Sequence, residues 1–101
     1  MDKNRLEELR QLVEDVMYAS TKKEAQYPIK RLEFMASTLR GEIDGYLFGK
    51  LGEVISYAKE ASGQVKNKDH WISCVERCWY VFESRVDKEA RADSEPSETK
   101  T

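Results

Sequence analysis

The sequence predicts an all-α protein, a small bundle of three or four helices in a single domain. Apolar residues recur at helical spacing along most of the chain, and no segment shows the alternating pattern of a convincing strand. Charged residues make up 36% of the 101 residues, which is typical of slender helices with one solvent-exposed face. We expect residues 1–90 to form this helical domain and residues 91–101 to be a disordered acidic and polar tail.

The first helix is expected to run from residue 2 or 3 to about residue 19. Its apolar residues keep the narrow spacing of a helix that packs on one or two neighbours. These residues are Leu6, Leu9, Leu12, Val13, Val16 and Met17. Acids and bases alternate on the other side, so the helix is predicted to be a packing element.

The second helix is expected to begin at Pro28. Thr21 and Glu24 have the spacing of a capping box. Pro28, however, lacks an N–H group and disfavours helical angles at Tyr27. Proline is common as the first residue of a helix, so residues 21–27 are predicted to form a turn or a single helical turn.

Residues 32–61 are the most informative stretch of the chain. Nine apolar residues fall on one side of a continuous helix and predict a core-facing stripe. They are Leu32, Ala36, Leu39, Ile43, Leu47, Leu51, Val54, Ala58 and Ala61. The opposite side is an uncharged row of small residues with a few large apolar ones, and it contains Gly41, Gly45, Gly49 and Gly52. Such a row would let another backbone approach closely.

These glycines leave two alternatives open. In the first, the stretch is one long central helix of about 50 Å, and packing between subunits offsets a cost of about 1 kcal/mol for each interior glycine. In the second, Gly41 or Gly45 ends one helix and the next helix begins near Asp44. The predicted fold class favours the long central helix with intersubunit helix packing.

The last helix is expected from His70 to about Ala90, after a stop at Gly63 and a polar connection. Asp69 is predicted to be its N-cap. Its wide apolar stripe includes both tryptophans and needs more than one neighbour to cover it. The stripe comprises Trp71, Ile72, Cys74, Val75, Cys78, Trp79, Val81, Phe82 and Val86.

Composition narrows the functional classes. The N-terminal segment is charged and no run approaches eighteen apolar residues, so we expect a cytoplasmic protein with no membrane contact. Acids and bases balance up to residue 86 and the whole chain carries a charge of -2, which disfavours nucleic-acid binding. The two cysteines are expected to be reduced.

One row of potential metal ligands lies on the last helix. His70, Cys74 and Cys78 are four residues apart, but the first and third lie about 12 Å apart along the axis and cannot share one zinc ion. Either thiol would also need a catalytic base with its own orienting partner, and none is evident. The paired carboxylates fit solvated helix surface. We therefore expect no metal, no cofactor and no enzymatic activity.

The first functional hypothesis is a non-enzymatic protein-protein interaction module, an adaptor, inhibitor or regulator that acts as a homodimer or higher oligomer and docks a helical face on another protein. The chain has more packable apolar surface than one other helix can cover. Partner contacts are expected from Phe34, Tyr46, Phe48 and Tyr57. The predicted partner or oligomer interface comprises Phe34, Gly41, Gly45, Phe48, Gly49, Gly52 and Ile55.

Two alternatives remain. Basic residues around an aromatic one, near a predicted helix start, would suit a nucleotide or another anion. This set comprises Lys22, Lys23, Tyr27, Lys30 and Arg31, and it would make the protein a small-ligand binding or sequestering protein. The last alternative is a nucleic-acid-associated regulator, which the charge balance disfavours.

Overall fold

The backbone forms four α-helices in the computed structural model, which describes residues 2–94, with side chains described for residues 2–86. Helix α1 spans Lys3–Met17, α2 spans Lys22–Thr38, α3 spans Gly45–Ala61 and α4 spans Lys68–Ser94. The predicted all-α bundle is confirmed. Helix α4 extends past the expected end at Ala90, and residues 95–101 of the predicted tail lie outside the described residues.

Consecutive helices run antiparallel. Glu33 of α2 lies against Lys59 near the end of α3, whereas Arg40 just after α2 lies over Phe48 near the start of α3. The same inverted order holds between α3 and α4 in the pairs Tyr57–Trp71, Glu53–Cys78 and Tyr46–Arg85. Helix α3 packs against α1, α2 and α4, and is therefore the central helix of the bundle.

The core contains the apolar stripe that the sequence predicts for residues 32–61. Eight of its nine residues are buried, and the ninth, Ile43, packs against the core while partly buried. All six apolar residues predicted for the first helix are buried as well. Helix α4 completes the core with Val75, Trp79, Phe82 and Val86.

The stretch from residue 32 to residue 61 is two helices in place of one long central helix. Helix α2 ends at Thr38, and Gly41 has a φ of +88°, which turns the chain out of the helical path. Asp44 then caps α3, because its carboxylate accepts a hydrogen bond of 2.8 Å from the N–H of Leu47. The second alternative, with a break at Gly41 and a new helix beginning near Asp44, is confirmed.

Replacing Gly41 with alanine is expected to lower the free energy of unfolding by about 1 kcal/mol, because an L-residue is strained at positive φ. A steric clash is not the cause, since no described heavy atom beyond the two adjacent residues lies within 4 Å of the position that the new Cβ would take. Urea unfolding followed by circular dichroism measures the effect. Gly49→Ala, inside α3, is the control and should raise stability by about 0.5–1 kcal/mol when measured at low subunit concentration. Equal effects of the two substitutions would contradict the helix break.

The start of α2 differs from the prediction. Thr21 has an extended backbone, and its hydroxyl accepts a hydrogen bond of 3.0 Å from the N–H of Glu24. The helix therefore begins at Lys22, and Pro28 lies inside it. The expectation that Pro28 is the first helical residue is wrong. Pro28 has no N–H group, so α2 lacks one backbone hydrogen bond at this position. The proline ring is buried against the core.

The start of α4 also differs from the prediction. The N–H of Trp71 donates a 3.0 Å hydrogen bond to the carbonyl of Asn67, and the helix begins at Lys68. Asp69 is therefore in the first turn and is not the N-cap. An acidic side chain in the first turn still interacts favourably with the positive end of the helix dipole.

Lys68 joins the ends of three helices. Its ammonium group donates hydrogen bonds of 2.8 Å to the carbonyl of Met17, 2.6 Å to that of Ala61 and 3.0 Å to that of Gly63. Met17 and Ala61 are the last residues of α1 and α3, whose terminal carbonyls have no partner within their own helix. One side chain at the start of α4 thus caps the two neighbouring helices, and a positive charge is favourable at a helix C-terminus.

Gly63 completes this junction. Its φ is +80°, as expected for a glycine just after a helix, and its N–H donates a 3.0 Å hydrogen bond to the carbonyl of Ala19. A Cβ at this position would lie 3.2 Å from the backbone nitrogen of Lys22. The predicted stop of α3 at Gly63 is confirmed. The structure also shows that the α1–α2 connection lies close to the backbone of Gly63.

None of the described helices combines the length and the apolar character that crossing a membrane requires.

Candidate interaction surface

A groove of about 310 Å³ separates α2 from α3 on the surface of the bundle. Ala36 of α2 and Ile55 of α3 are almost fully buried beneath it, and Phe48 is half-buried at its side. Gly52, Ser37 and Ser56 also line it. We call this feature the α2–α3 groove; its floor is apolar and its walls are small residues.

Charged side chains of both signs surround the α2–α3 groove. The ammonium group of Lys59 lies 2.6 Å from a carboxylate oxygen of Glu33 across one end. Near the other end, the Arg40 guanidinium lies 5.2 Å from the centre of the Phe48 ring. This cation-π contact holds Phe48 against the bundle while part of the ring stays exposed.

A row of glycines continues from the groove along the exposed side of α3. Gly45, Gly49 and Gly52 are all exposed. Apart from the adjacent residues and the nearby backbone of α3 itself, no described heavy atom lies within 4 Å of the position that a Cβ would take at any of them. We call these three residues the glycine row. Among the described residues, no other segment packs closely over these three positions of α3.

The structure brings together most of the predicted interface. Phe48, Gly52 and Ile55 line the α2–α3 groove, and Gly45 and Gly49 extend along the same helix. Gly41 lies in the connection between the two helices. Phe34 is on α2, where 68% of its surface is exposed, but it does not line the groove.

Two of the predicted partner contacts face α4 in the bundle. Tyr57 stacks on Trp71 with ring centres 6.0 Å apart. Arg85 lies over the ring of Tyr46 at 4.9 Å, and the Lys50 ammonium is 5.6 Å from the same ring. The structure thus gives these tyrosines contacts within the chain.

The predicted anion-binding residues do not converge on one point. The Lys22 ammonium donates hydrogen bonds to the Lys59 carbonyl at 2.7 Å and to the Ser62 hydroxyl at 3.2 Å, so it caps the end of α3. Arg31 lies 3.7 Å from a carboxylate oxygen of Glu8. Lys23 and Lys30 are exposed on α2.

Tyr27 and Arg31 also line a second groove, of about 640 Å³, between α1 and α2. Three acidic residues line this α1–α2 groove with them, namely Glu14, Asp15 and Glu24. Carboxylates at this site oppose the binding of an anion there.

Both cysteines of α4 are partly buried, and Cys78 packs against the hydrophobic core. The Cys74 sulfur lies 3.8 Å from Nε2 of His70, and the Cys78 thiol lies 3.5 Å from a Glu53 carboxylate oxygen. Burial, followed by the neighbouring Glu53 carboxylate, raises the pKa of Cys78, so this thiol is neutral and a poor nucleophile at neutral pH. Among the described residues, no three potential metal ligands lie close enough to hold an ion.

Arg10, Glu14 and Glu76 form a cluster of charges between α1 and α4, and its contacts are structural. Both terminal nitrogens of Arg10 lie 2.8 Å from the Glu76 carboxylate, and Nε lies 2.7 Å from Glu14. These hydrogen bonds raise the pKa of Arg10 further above its usual value. The guanidinium also lies 5.6 Å from the centre of the Trp79 ring, so the cluster ties α1 to α4.

Sequence reasoning missed the α2 wall of the α2–α3 groove. Ala36, Ser37 and Arg40 reach the glycine-bearing helix because the chain folds back at Gly41. A continuous helix would have placed them in line with α3 and not beside it. The sequence signal for this wall was the alternative in which the helix breaks at Gly41, because a break there implies that the two resulting helices pack as an antiparallel pair.

Comparisons of the chain with protein-family models, with curated proteins and with solved structures find no match.

Proposed function

We propose that this protein is a non-enzymatic helical interaction module, an adaptor, inhibitor or regulator that acts as a homo-oligomer through the α2–α3 groove and the glycine row. The observation that carries the proposal is the open space over Gly45, Gly49 and Gly52. A helix that meets no described side chain at three positions on one side offers its backbone to another surface.

The energetics of α3 support this proposal. A glycine inside a helix costs about 0.5–1 kcal/mol relative to alanine. Gly49 and Gly52 gain no close contact with the described residues of other helices that would offset this cost. Close approach of a second backbone would add van der Waals contacts at these positions and supply the offset.

The α2–α3 groove beside the glycine row would make a second contribution to the free energy of self-association. Phe48 is only half-buried by its own chain, and a partner side chain in the groove would cover the rest of the ring together with Ile55. Burial of apolar surface contributes roughly 25 cal/mol per Å², and aromatic residues are enriched at interface centres.

A second copy of the chain fits the charges around this surface. Glu33, Arg40 and Lys59 place both signs at the edge of the groove. A two-fold axis brings the same patch of two subunits together, so a patch of mixed sign can pair opposite charges with its own copy.

Gly49→Gln tests the location of the interface. Glutamine favours the helix more than glycine does, so the isolated subunit should keep or gain stability, while its side chain blocks close approach to α3. Sedimentation velocity should show the loss of self-association.

Ser84→Gln is the matched control, because it adds the same side chain at an exposed position of α4. The control should assemble as the wild type does. Assembly that survives Gly49→Gln, or that is lost equally in both variants, would remove the glycine row from the interface.

A further inference from the structure

The α1–α2 groove lies on a different face from the glycine row and takes no part in the proposed self-association. Leu12 of α1 and Pro28 of α2 are buried and form its apolar floor. Tyr18 is 57% exposed and Tyr27 is 70% exposed, and both line the groove. Exposed aromatic rings over an apolar floor offer contact area at a small cost in conformational entropy.

The charges in this groove are predominantly negative. Three carboxylates line it, and Arg31 is the one basic residue among its described lining residues. Arg31 is itself near Glu8, at 3.7 Å. A cation that enters the groove therefore meets an excess of negative charge.

Two of the three carboxylates have no cationic partner in the described part of the chain. Asp15 accepts a hydrogen bond of 3.0 Å from the side-chain amide of Gln11, which is neutral. The Glu24 carboxylate takes part in no described hydrogen bond or ion pair. Glu14 differs, because Arg10 lies 2.7 Å from it. Asp15 and Glu24 thus remain available to a positive group.

We propose that the α1–α2 groove docks a basic segment of a partner protein. An arginine or lysine side chain of that segment lies against Tyr18 and Tyr27, and its charge pairs with Asp15 and Glu24. A guanidinium group suits this arrangement best, because it stacks on aromatic rings and pairs with carboxylates in one plane. The floor at Leu12 and Pro28 covers the aliphatic part of the same side chain.

Docking in the α1–α2 groove is independent of self-association through the glycine row. Helix α2 forms one wall of the α1–α2 groove and one wall of the α2–α3 groove. A homo-oligomer built through α3 would therefore present one α1–α2 groove for each subunit. Several grooves on one assembly would strengthen the capture of a partner with repeated basic segments.

The test uses fluorescein-labelled octa-arginine as the probe and the full-length protein as the binder. Fluorescence anisotropy should show saturable binding that weakens as salt concentration rises, because exposed charge pairs are screened. Octa-glutamate with the same label should not bind. The double substitution Glu24→Gln and Tyr27→Ala should weaken octa-arginine binding about fivefold to tenfold.

A matched control exists on α4. Glu83→Gln with Tyr80→Ala changes the same two residue types at the same three-residue separation, and Tyr80 is also 70% exposed. This variant should bind octa-arginine as the wild type does, and thermal unfolding should show both variants folded. Gly49→Gln should also retain binding, which separates this docking from self-association.

Three results would overturn the docking proposal. The first is the absence of octa-arginine binding to the wild type. The second is equal weakening in the α2 and α4 double variants, which would indicate general attraction to an acidic protein. The third is spermine binding at the same site with the affinity of the peptide, which would assign the groove to small organic cations.

Discussion

Phe82→Ala is expected to lower the free energy of unfolding by about 3–5 kcal/mol, the largest effect of any single substitution considered. Phe82 is fully buried, and its ring centre lies 5.4 Å from that of Trp79 in a tilted arrangement. Removing the ring leaves a cavity on the core side of α4. A small domain has only about 5–15 kcal/mol of stability, so this variant should be close to unfolding. Urea unfolding followed by tryptophan fluorescence and circular dichroism measures the loss.

Tyr80→Ala is the control for Phe82→Ala. Tyr80 is on the same helix but 70% exposed, so its replacement should change stability by less than about 0.5 kcal/mol. If both substitutions destabilised the protein equally, α4 would not pack on the core through the face that contains Phe82 and Trp79.

Lys68→Met is expected to lower the free energy of unfolding by about 2–4 kcal/mol, because three carbonyls lose a charged hydrogen-bond donor at once. Two of these carbonyls, those of Met17 and Ala61, terminate α1 and α3. Methionine has a similar length and no donor, so packing is largely kept. Relative to the wild type, hydrogen exchange in this variant should be accelerated more at the ends of α1 and α3 than at their centres.

Lys66→Met is the matched control for Lys68→Met. Lys66 is exposed in the same connection, and replacing it should change stability by less than about 0.5 kcal/mol. Equal stability of the two variants would mean that the ammonium group of Lys68 does not hold the three helices together.

The apolar periodicity predicts the core because it is a property of short sequence windows. The stripe from Leu32 to Ala61 is buried almost completely, although the chain breaks between Thr38 and Gly45. Leu39 and Ile43 flank the turn and still reach the core, so the stripe is equally compatible with one helix or two. The pattern alone could not decide between the alternatives.

Helix starts are less predictable, because competing local signals have similar energies. At α2, the Thr21 cap is formed and Pro28 is retained inside the helix, where its ring is buried. At α4, Asp69 has the right chemistry for a cap, but the helix begins at Lys68. At α2 the local cap of Thr21 sets the helix start in spite of the proline. At α4 the start at Lys68 accompanies the contacts of its ammonium group with three carbonyls of the bundle, and these contacts are not visible in the local sequence.

The part of the candidate surface that lies on α3 was predictable from the sequence. The parts that other helices contribute were not. The glycine row and Phe48 belong to one helix, so their common side follows from spacing. The α2 wall and the α1–α2 groove depend on how the chain folds back at Gly41 and at residues 18–21. The role of Lys68 also depends on that arrangement, since one of its three acceptors, the carbonyl of Met17, lies 51 residues earlier in the chain.

Native mass spectrometry of the gently purified wild-type protein tests the central claim most directly, because it reads subunit number and any retained ligand together. The interaction-module proposal predicts a defined oligomer whose mass is a whole multiple of the chain mass, with nothing added. A monomer at micromolar concentration would contradict self-association through α3. A stoichiometric adduct of nucleotide size would contradict the interaction-module proposal and would favour a small-ligand binding protein.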